Sequence, residues 1–269
     1  MIKKFSAAIF RNLYQPRLDS NKRQNGSLLV IAGSDKYHGS LLYALKSASR
    51  VAGLIYVIST KDNQKLVAKL KEQTAEFISV SKISEAPVEV ILIGPGLGQS
   101  LKSYRLVKQV LNSSQKAVLD ADALNILDTE LKGKLGPNHI LTPHPGEFKK
   151  VFKLAPTAAN LSAMAKKYQC YIVLKGPDDL VADPAGNLTT HRINNAGMAK
   201  GGSGDVLAGL MAGLFCKNSA LLSAQAALLA TDCAGAALFK TRRHFYNSED
   251  LAEQLPQTLA QLLIKSKNK

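Results

Sequence analysis

The chain has 269 residues, of which 46% are hydrophobic and 20% charged, and these ordinary values exclude a largely disordered protein. Its formal net charge of +15 is spread along the chain without interleaved aromatic residues. We therefore interpret it as a basic surface that attracts anionic small molecules, and expect no nucleic-acid partner; a nucleic-acid-binding surface is the open alternative. The three cysteines have no metal-ligand spacing, which predicts reduced thiols. No apolar run is long enough to cross a bilayer, and we therefore expect a cytoplasmic location and no membrane partner.

The predicted elements begin after a leader segment, residues 1–26, which ends in a polar turn; residues 27–269 are predicted to form a single domain. Six short runs follow that are almost continuously apolar, as is typical of buried parallel strands. They cover residues 27–33, 53–59, 88–94, 116–120, 139–142 and 170–175. Helical patterns lie between them at residues 39–52, 61–73, 100–114, 122–132 and 158–168.

This alternation predicts an α/β fold with a mostly parallel central sheet and helices on both faces. Residues 179–183 and 187–193 flank the turn Pro184-Ala-Gly186 and are predicted to form a hairpin. The last third of the chain is predicted to be helical, at residues 203–216, 219–240 and 249–266.

Turn residues and polar groups follow the predicted strands. Ligands of such folds bind beyond the carboxyl ends of the strands, so we expect these motifs to meet at one edge of the sheet. They are Gly33-Ser-Asp35, Gly94-Pro-Gly-Leu-Gly98, Asp120-Ala-Asp122, Thr142-Pro-His-Pro-Gly-Glu147, Lys175-Gly-Pro177 and the loop Gly201–Asp205. The loop from Gly94 to Gly98 is not a dinucleotide-binding fingerprint, because Gln99 stands where its third glycine belongs, and a plain turn is the alternative interpretation.

A glycine-rich segment directly before an apolar helical pattern is the most informative feature. Four glycines occur within eight residues, and Asp205 stands at the join with the helix. The free N–H groups and partial positive charge of a helix start suit phosphate, which a carboxylate repels. We therefore interpret Asp205 as a base that takes a proton from a hydroxyl group attacking the phosphate. A helix N-cap is the alternative role for this residue.

Other polar residues at the same edge each have two interpretations. His144, held between two prolines, is a substrate contact or a structural residue, and Glu147 is a candidate first-turn helix carboxylate. Asp120 and Asp122 hold magnesium through water or cap the helix that follows. Lys175 and Lys200 are candidates to neutralise phosphate, although exposed lysines usually do not.

Taken together, these motifs resemble the ribokinase-like ADP- or ATP-dependent NAD(P)H-hydrate dehydratases over about residues 25–240. The glycine–aspartate loop is shared by many ribokinase-like kinases, whereas the Gly94–Gly98 loop combined with His144-Pro-Gly-Glu147 is more specific. The resemblance implies a metabolite-repair lyase whose substrate is NADH or NADPH hydrated on the nicotinamide ring. Such enzymes phosphorylate the ring hydroxyl with ADP or ATP and then eliminate phosphate, and Mg²⁺ is the expected cofactor.

The resemblance also implies roles for individual residues. Asp205 matches the catalytic base that activates the hydroxyl group, and Ser40, Gly96 and His144, with Asp205 itself, correspond to substrate-binding positions. The nucleotide-binding positions are Lys175, Gly176, Pro177, Asp178, Asp179, Gly202, Ser203 and Gly204, the last three of which cradle the phosphates. No metal ligand is assigned.

Several positions depart from the pattern of that family. Ser40 stands where alanine is usual, Lys200 and Ser203 replace threonines of the glycine loop, and Asp179 replaces the threonine of the Lys-Gly segment. Asp179 brings an opposing charge and puts the nucleotide contacts most in doubt, whereas Lys200 brings a charge next to the phosphates that bears on the choice of donor.

The resemblance further implies a homotetramer and a separate hydrate epimerase as a possible partner, and the single-domain layout favours ADP over ATP as the donor. Two alternatives remain open. One is a ribokinase-like kinase of a small alcohol or vitamin precursor, which releases a phosphorylated product. The other is a catalytically idle nucleotide- or nucleic-acid-binding protein on the same fold.

Overall fold

A central sheet organises the protein, which we describe from a computed structural model covering residues 2–70, 77–176, 178–191 and 195–267. The described strands are β1 (Lys3–Lys4), β2 (Ser27–Ile31), β3 (Leu54–Ile58), β4 (Phe77–Ser79), β5 (Val90–Ile93), β6 (Lys116–Leu119), β7 (His139–Leu141), β8 (Tyr171–Leu174), β9 (Asp179–Ala182) and β10 (Leu188–His191). They are ordered β1-β10-β9-β8-β7-β6-β5-β2-β3-β4. Within this described sheet β9 runs antiparallel to both neighbours, and the other pairs are parallel. The predicted mostly parallel α/β sheet, with a hairpin, is therefore confirmed.

Helices cover both faces of the sheet. They are α1 (His38–Ala48), α2 (Lys61–Leu70), α3 (Leu101–Leu111), α4 (Asp122–Ile126), α5 (Thr129–Lys132), α6 (Pro145–Phe152), α7 (Ala158–Tyr168), α8 (Ser203–Phe215), α9 (Ala220–Arg242) and α10 (Ser248–Lys267). In β2, Leu28 and Val30 pack with α1, α8, α9 and α10, while Leu29 and Ile31 pack with α3, α6 and α7. The strands are apolar at every position because both of their faces are buried.

The first segment of the chain contributes to the core. β1 pairs with β10, and Phe5, Phe10 and Leu13 are buried in the same cluster as α8 to α10. The division of the chain at residue 26 stays a prediction, and the described part of that segment packs on the body of the protein.

Several elements differ from the sequence predictions, among them the edge strand β1, which lies inside the predicted leader segment. The prediction of a single helix over residues 122–132 is wrong: α4 ends at Ile126, and a new helix begins after Asp128, whose carboxylate accepts a hydrogen bond from the Leu131 N–H at 2.8 Å. The short edge strand β4 and the helix α6 were not predicted as elements, apart from a helix start near Glu147. Residues 71–73 and 192–193, which fell inside predicted elements, lie outside the described residues.

The helix α9 corrects one expectation from composition. Contrary to the sequence analysis, it is long and apolar enough to cross a membrane by length and composition, but 67% of its apolar window is buried inside the protein. It packs between α8 and α10, which identifies it as a core helix.

Candidate functional site

The loop Gly94–Gly98 brings two substrate-binding candidates together. Gly94, Gly96 and Gly98 all have positive φ angles, of 124°, 59° and 75°, which side chains rarely tolerate. A Cβ atom added to Gly96 would lie 2.9 Å from the Ser40 Cβ atom. The glycine therefore allows the loop to contact the first turn of α1. The alternative interpretation, a plain turn, does not account for this contact.

Asp205 lies in the first turn of α8. The N-cap of this helix is Gly202, with φ of +94°, so the alternative role of Asp205 as the N-cap is wrong. Burial raises the pKa of Asp205 to about 7, and the nearby Asp120 carboxylate adds to the rise; the Ser40 hydroxyl, hydrogen-bonded to Asp205, and the Lys175 ammonium group oppose it. A carboxyl group with a pKa near neutrality is well suited to accept a proton from a substrate.

Lys175 connects the carboxylates at this edge. Its Nζ atom lies 2.7 Å from Asp120 Oδ1, which also accepts a hydrogen bond from the Thr142 hydroxyl at 2.7 Å. Burial lowers the pKa of Lys175, but the Asp120, Glu147 and Asp205 carboxylates outweigh burial and hold this pKa above its ordinary value. A Cβ atom on Gly204 would lie 3.5 Å from Nζ, so a fixed positive charge stands beside the start of α8.

His144 is both a structural residue and a lining residue of the cleft. Its Nδ1 atom accepts hydrogen bonds from the backbone N–H groups of Gly146 and Glu147, at 3.0 and 3.2 Å, and so caps α6. We therefore assign the proton of the neutral ring to Nε2. Glu147 completes the cap by accepting the His144 N–H at 2.8 Å, as a first-turn carboxylate. The His144 side chain is 57% exposed, and its Nε2 atom lies 3.5 Å from Glu147 Oε1.

The two aspartates after β6 serve purposes that the sequence analysis did not predict. Asp122 accepts hydrogen bonds from the Gly98 N–H at 2.8 Å and from the Gln99 side chain at 3.1 Å, which fixes the glycine loop after β5. The N-cap of α4 is Ala121, so the prediction that Asp120 or Asp122 caps this helix is wrong. Within the described ranges, no group of three or more His, Cys, Asp or Glu side chains is placed to hold a metal ion.

The loop before α8 is held by the turn between α9 and α10. Lys200 Nζ donates hydrogen bonds to the carbonyl oxygens of His244 and Tyr246, at 2.8 and 2.6 Å. The Ser248 hydroxyl donates to the Gly201 carbonyl oxygen at 2.7 Å. Two of the three N–H donors of Lys200 thus support this loop, and its role in neutralising phosphate stays a prediction.

A cleft of about 840 Å³ opens beside these residues. Its lining includes His144, Lys175, Gly176, Asp179, Ser203 and Gly204, all predicted from the sequence. Gly202 directly precedes Ser203 in the loop before α8. Asp205, Ser40 and Gly96 lie close together next to the cleft. Asp178 is exposed on the segment between β8 and β9, whereas Pro177 lies outside the described residues. A volume of this size accommodates a nucleotide.

The helix α9 contributes a part of the cleft that was not predicted from the sequence. Leu228, Thr231 and Asp232 line it, at the i, i+3 and i+4 spacing of one helix face. The only sequence signal was an acidic residue inside an otherwise apolar helix. Asp179 faces the same cleft; its carboxylate accepts the Gly176 N–H at 2.9 Å, and burial raises its pKa to about 6.

Comparison with known proteins identifies the family. The family model for NAD(P)H-hydrate dehydratases (Carb_kinase) matches residues 28–257, and the chain therefore belongs to this family. Solved ribokinase-like proteins share its fold.

Individual relatives agree with this assignment. The ADP-dependent (S)-NAD(P)H-hydrate dehydratase of Cenarchaeum symbiosum is 33% identical over an alignment that covers 90% of this chain and 91% of that protein. The bifunctional NAD(P)H-hydrate repair enzyme of Methanocaldococcus jannaschii is 30% identical over 254 residues, covering 90% of this chain and 49% of that protein. The chain thus spans about half the length of several relatives that it matches.

A solved structure extends the similarity to three dimensions. The ADP/ATP-dependent NAD(P)H-hydrate dehydratase from Bacillus subtilis, co-crystallised with ATP and Mg²⁺, superimposes with a TM-score of 0.85 at 26% sequence identity. The match covers 97% of this chain and 99% of the Bacillus chain.

Proposed function

We propose that this chain is an ADP- or ATP-dependent dehydratase that restores hydrated NADH and NADPH to their intact forms. The observation that carries the proposal is the position of Asp205, a partly buried carboxyl group with a pKa of about 7 at the start of α8, beside the cleft and within hydrogen-bonding reach of Ser40. The family assignment favours this reaction over a small-alcohol kinase or an idle binding protein.

The proposed reaction has two steps. Asp205 accepts the proton of the ring hydroxyl group as the hydroxyl oxygen attacks the terminal phosphorus of the nucleotide, and the shortened nucleotide leaves. The carbon–oxygen bond of the resulting phosphate ester then breaks; phosphate departs, and loss of a ring proton restores the double bond. Phosphorylation matters because hydroxide is a poor leaving group and phosphate is a good one.

The residues around Asp205 are proposed to hold the two substrates. The backbone N–H groups of Gly202, Ser203 and Gly204 at the start of α8 bind the phosphates, and Lys175 supplies positive charge beside them. Gly176 to Asp179 form the adjacent nucleotide-binding segment. Ser40, Gly96 and His144 contact the hydrated nicotinamide nucleotide.

Mg²⁺ is proposed to enter with the nucleotide. In phosphoryl-transfer sites this ion is held largely by phosphate oxygens and water, with one or two carboxylates, which fits a described site without a preformed metal cluster. When bound, it neutralises charge on the phosphates. The ion pair of Lys175 and Asp120, with 2.7 Å between Nζ and Oδ1, lies beside that charge.

The location, oligomeric state and partners of the chain are also proposals. We propose a cytoplasmic homotetramer without nucleic-acid or membrane partners. Because relatives of about twice the length are named bifunctional repair enzymes, we propose that a hydrate epimerase acts with this chain as a separate protein.

The reaction is tested by incubating purified protein with hydrated NADH and Mg²⁺, adding ADP or ATP in parallel, and following the absorbance of reduced nicotinamide. We expect recovery only with a nucleotide, and faster recovery with ADP. Consumption of nucleotide with accumulation of a stable phosphate ester would instead establish the small-alcohol kinase. Folded protein that binds nucleotide and turns over neither substrate would be an idle binder.

A further inference from the structure

The α9 side of the cleft is apolar except for one carboxyl group. Leu207, Leu228 and Met198 line this part of the cleft. The Thr231 hydroxyl donates to backbone carbonyl oxygens of its own helix at 2.9 and 3.0 Å. The Asn195 side chain already has hydrogen-bond partners: its Oδ1 atom accepts from the Gly197 N–H, and its Nδ2 atom donates to the Tyr246 hydroxyl oxygen.

Asp232 differs from these neighbours. Its carboxyl group has no hydrogen-bond partner within the described ranges, and its Oδ2 atom lies 3.9 Å from His191 Nε2. The side chain is only 13% exposed. A nearly buried polar group that lines a cleft without a partner is expected to gain one from the ligand.

The surroundings of Asp232 favour its protonated form. Burial raises its pKa to about 8, with a further contribution from the negative charge of Asp179 on β9. Burial also lowers the pKa of His191 on β10, so its ring is neutral at pH 7. Tyr246, in the turn before α10, faces the same group. The Asp232 carboxyl group therefore offers one O–H donor and one carbonyl acceptor side by side.

Phosphates and base must occupy different ends of the cleft. The Asp179 carboxylate repels phosphate, whereas the start of α8 and Lys175 attract it. A nucleotide with its phosphates at α8 therefore extends its base toward the apolar side chains of α8 and α9, where Asp232 lies.

We propose that Asp232 selects the adenine ring, accepting a hydrogen bond from the 6-amino group and donating one to the neighbouring ring nitrogen. This inference rests on the proposed function, because it assumes that the cleft holds the nucleotide donor. An ionised carboxylate cannot donate and repels the lone pair of the ring nitrogen, so adenine binding weakens when Asp232 loses its proton.

Calorimetric titration with nucleotide alone tests the inference. The probes are ADP and the diphosphate of purine riboside, which lacks the 6-amino group, between pH 7 and 9.5, above the second phosphate ionisation. At pH 7 we expect ADP to bind at least about tenfold more tightly than the analogue, in line with paired hydrogen bonds to a base. ADP affinity is expected to fall about tenfold toward pH 9.5.

Variants separate recognition from a structural role. Asp232→Asn retains a donor and an acceptor side by side, so it is expected to keep ADP binding and to remove the pH dependence. Asp232→Leu is expected to lose both the preference for ADP and the pH dependence. The matched control Asp19→Asn, at a side chain that is 69% exposed, should behave as the parent protein.

The outcomes are distinguishable. Equal binding of ADP and the analogue by the parent protein, or an unchanged pH dependence in Asp232→Asn, would overturn the inference and leave the proposed function intact. Absence of ADP and ATP binding by folded protein would overturn both. If Asp232→Leu fails to fold, the parent protein and Asp232→Asn still decide the question.

Discussion

Asp205 meets opposite demands from stability and chemistry. Its raised pKa means that the folded protein binds more protons than the unfolded chain between about pH 4 and pH 7. Stability contributed by this group is therefore present at low pH and falls as pH rises through about 7. The ionised form that the proposed reaction needs is the one that the fold disfavours.

Replacing Asp205 by asparagine is expected to separate these effects. Turnover should fall at least about a thousandfold, because no base remains, while calorimetry should find nucleotide binding unchanged or tighter. Thermal unfolding at pH 8 should show stabilisation of about 1 to 2 kcal/mol, since the disfavoured charge is gone. Turnover that survives the substitution would remove Asp205 from the mechanism.

The pH dependence of catalysis follows from the same group. Because the base must be ionised, kcat/KM for dehydration should rise with pH through about 7 and level off above it. Steady-state rates between pH 5.5 and 8.5, with saturating nucleotide, measure this. A profile that is flat or falls across neutrality would contradict the assignment of the base.

The site residues that lie in recognisable backbone motifs were predictable from the sequence. Asp205, Gly96 and Lys175 follow strands or precede a helix in glycine-rich segments, and such positions converge at one edge of a parallel sheet. Asp232 carried no such signal, because its role depends on which face of a core helix meets the cleft. The contacts of Lys200 were equally hidden, since its partners lie more than forty residues away.

At the scale of elements, the turn between α9 and α10 supports the loop before α8. Lys200→Ala removes two hydrogen bonds to that turn and is expected to raise KM for the nucleotide about tenfold, with a smaller change in kcat. Lys22→Ala, at an exposed lysine of the first segment, is the matched control and should leave both parameters unchanged. An unchanged KM in Lys200→Ala would show that the loop does not need this support.

Contact between α1 and α8 requires a glycine. A Cβ atom on Gly209 would lie 2.2 Å from the Ala44 carbonyl oxygen, so Gly209→Ala is expected to destabilise the fold by about 2 kcal/mol or more. Nothing lies within 4 Å of a Cβ atom on Gly136, and Gly136→Ala should have little effect or stabilise slightly. Urea unfolding of both variants measures the difference, and equal stabilities would contradict the packing described here.

Central strands were predictable because both of their faces are buried, which leaves runs of four or more apolar residues such as Val90–Ile93. The break between α4 and α5 was not, because residues 122–132 keep a helical pattern and only the cap at Asp128 interrupts it. The three-residue strand β4 was missed since it is too short to show an alternation.

For the whole molecule, composition predicted a folded and basic protein but not how its parts are used. The apolar helix α9 packs in the core and also lines the cleft. Its composition alone does not distinguish such a helix from a membrane span. The net charge of +15 suits a protein that we propose binds two anionic nucleotides.

The most direct test of the account measures phosphate release and recovery of reduced nicotinamide in the same sample, with hydrated NADH, ADP and Mg²⁺. We predict one phosphate for each NADH recovered by the parent protein, and neither product with Asp205→Asn. Recovery of NADH without phosphate release, or phosphate release without recovery, would contradict a dehydration that proceeds through a phosphorylated intermediate.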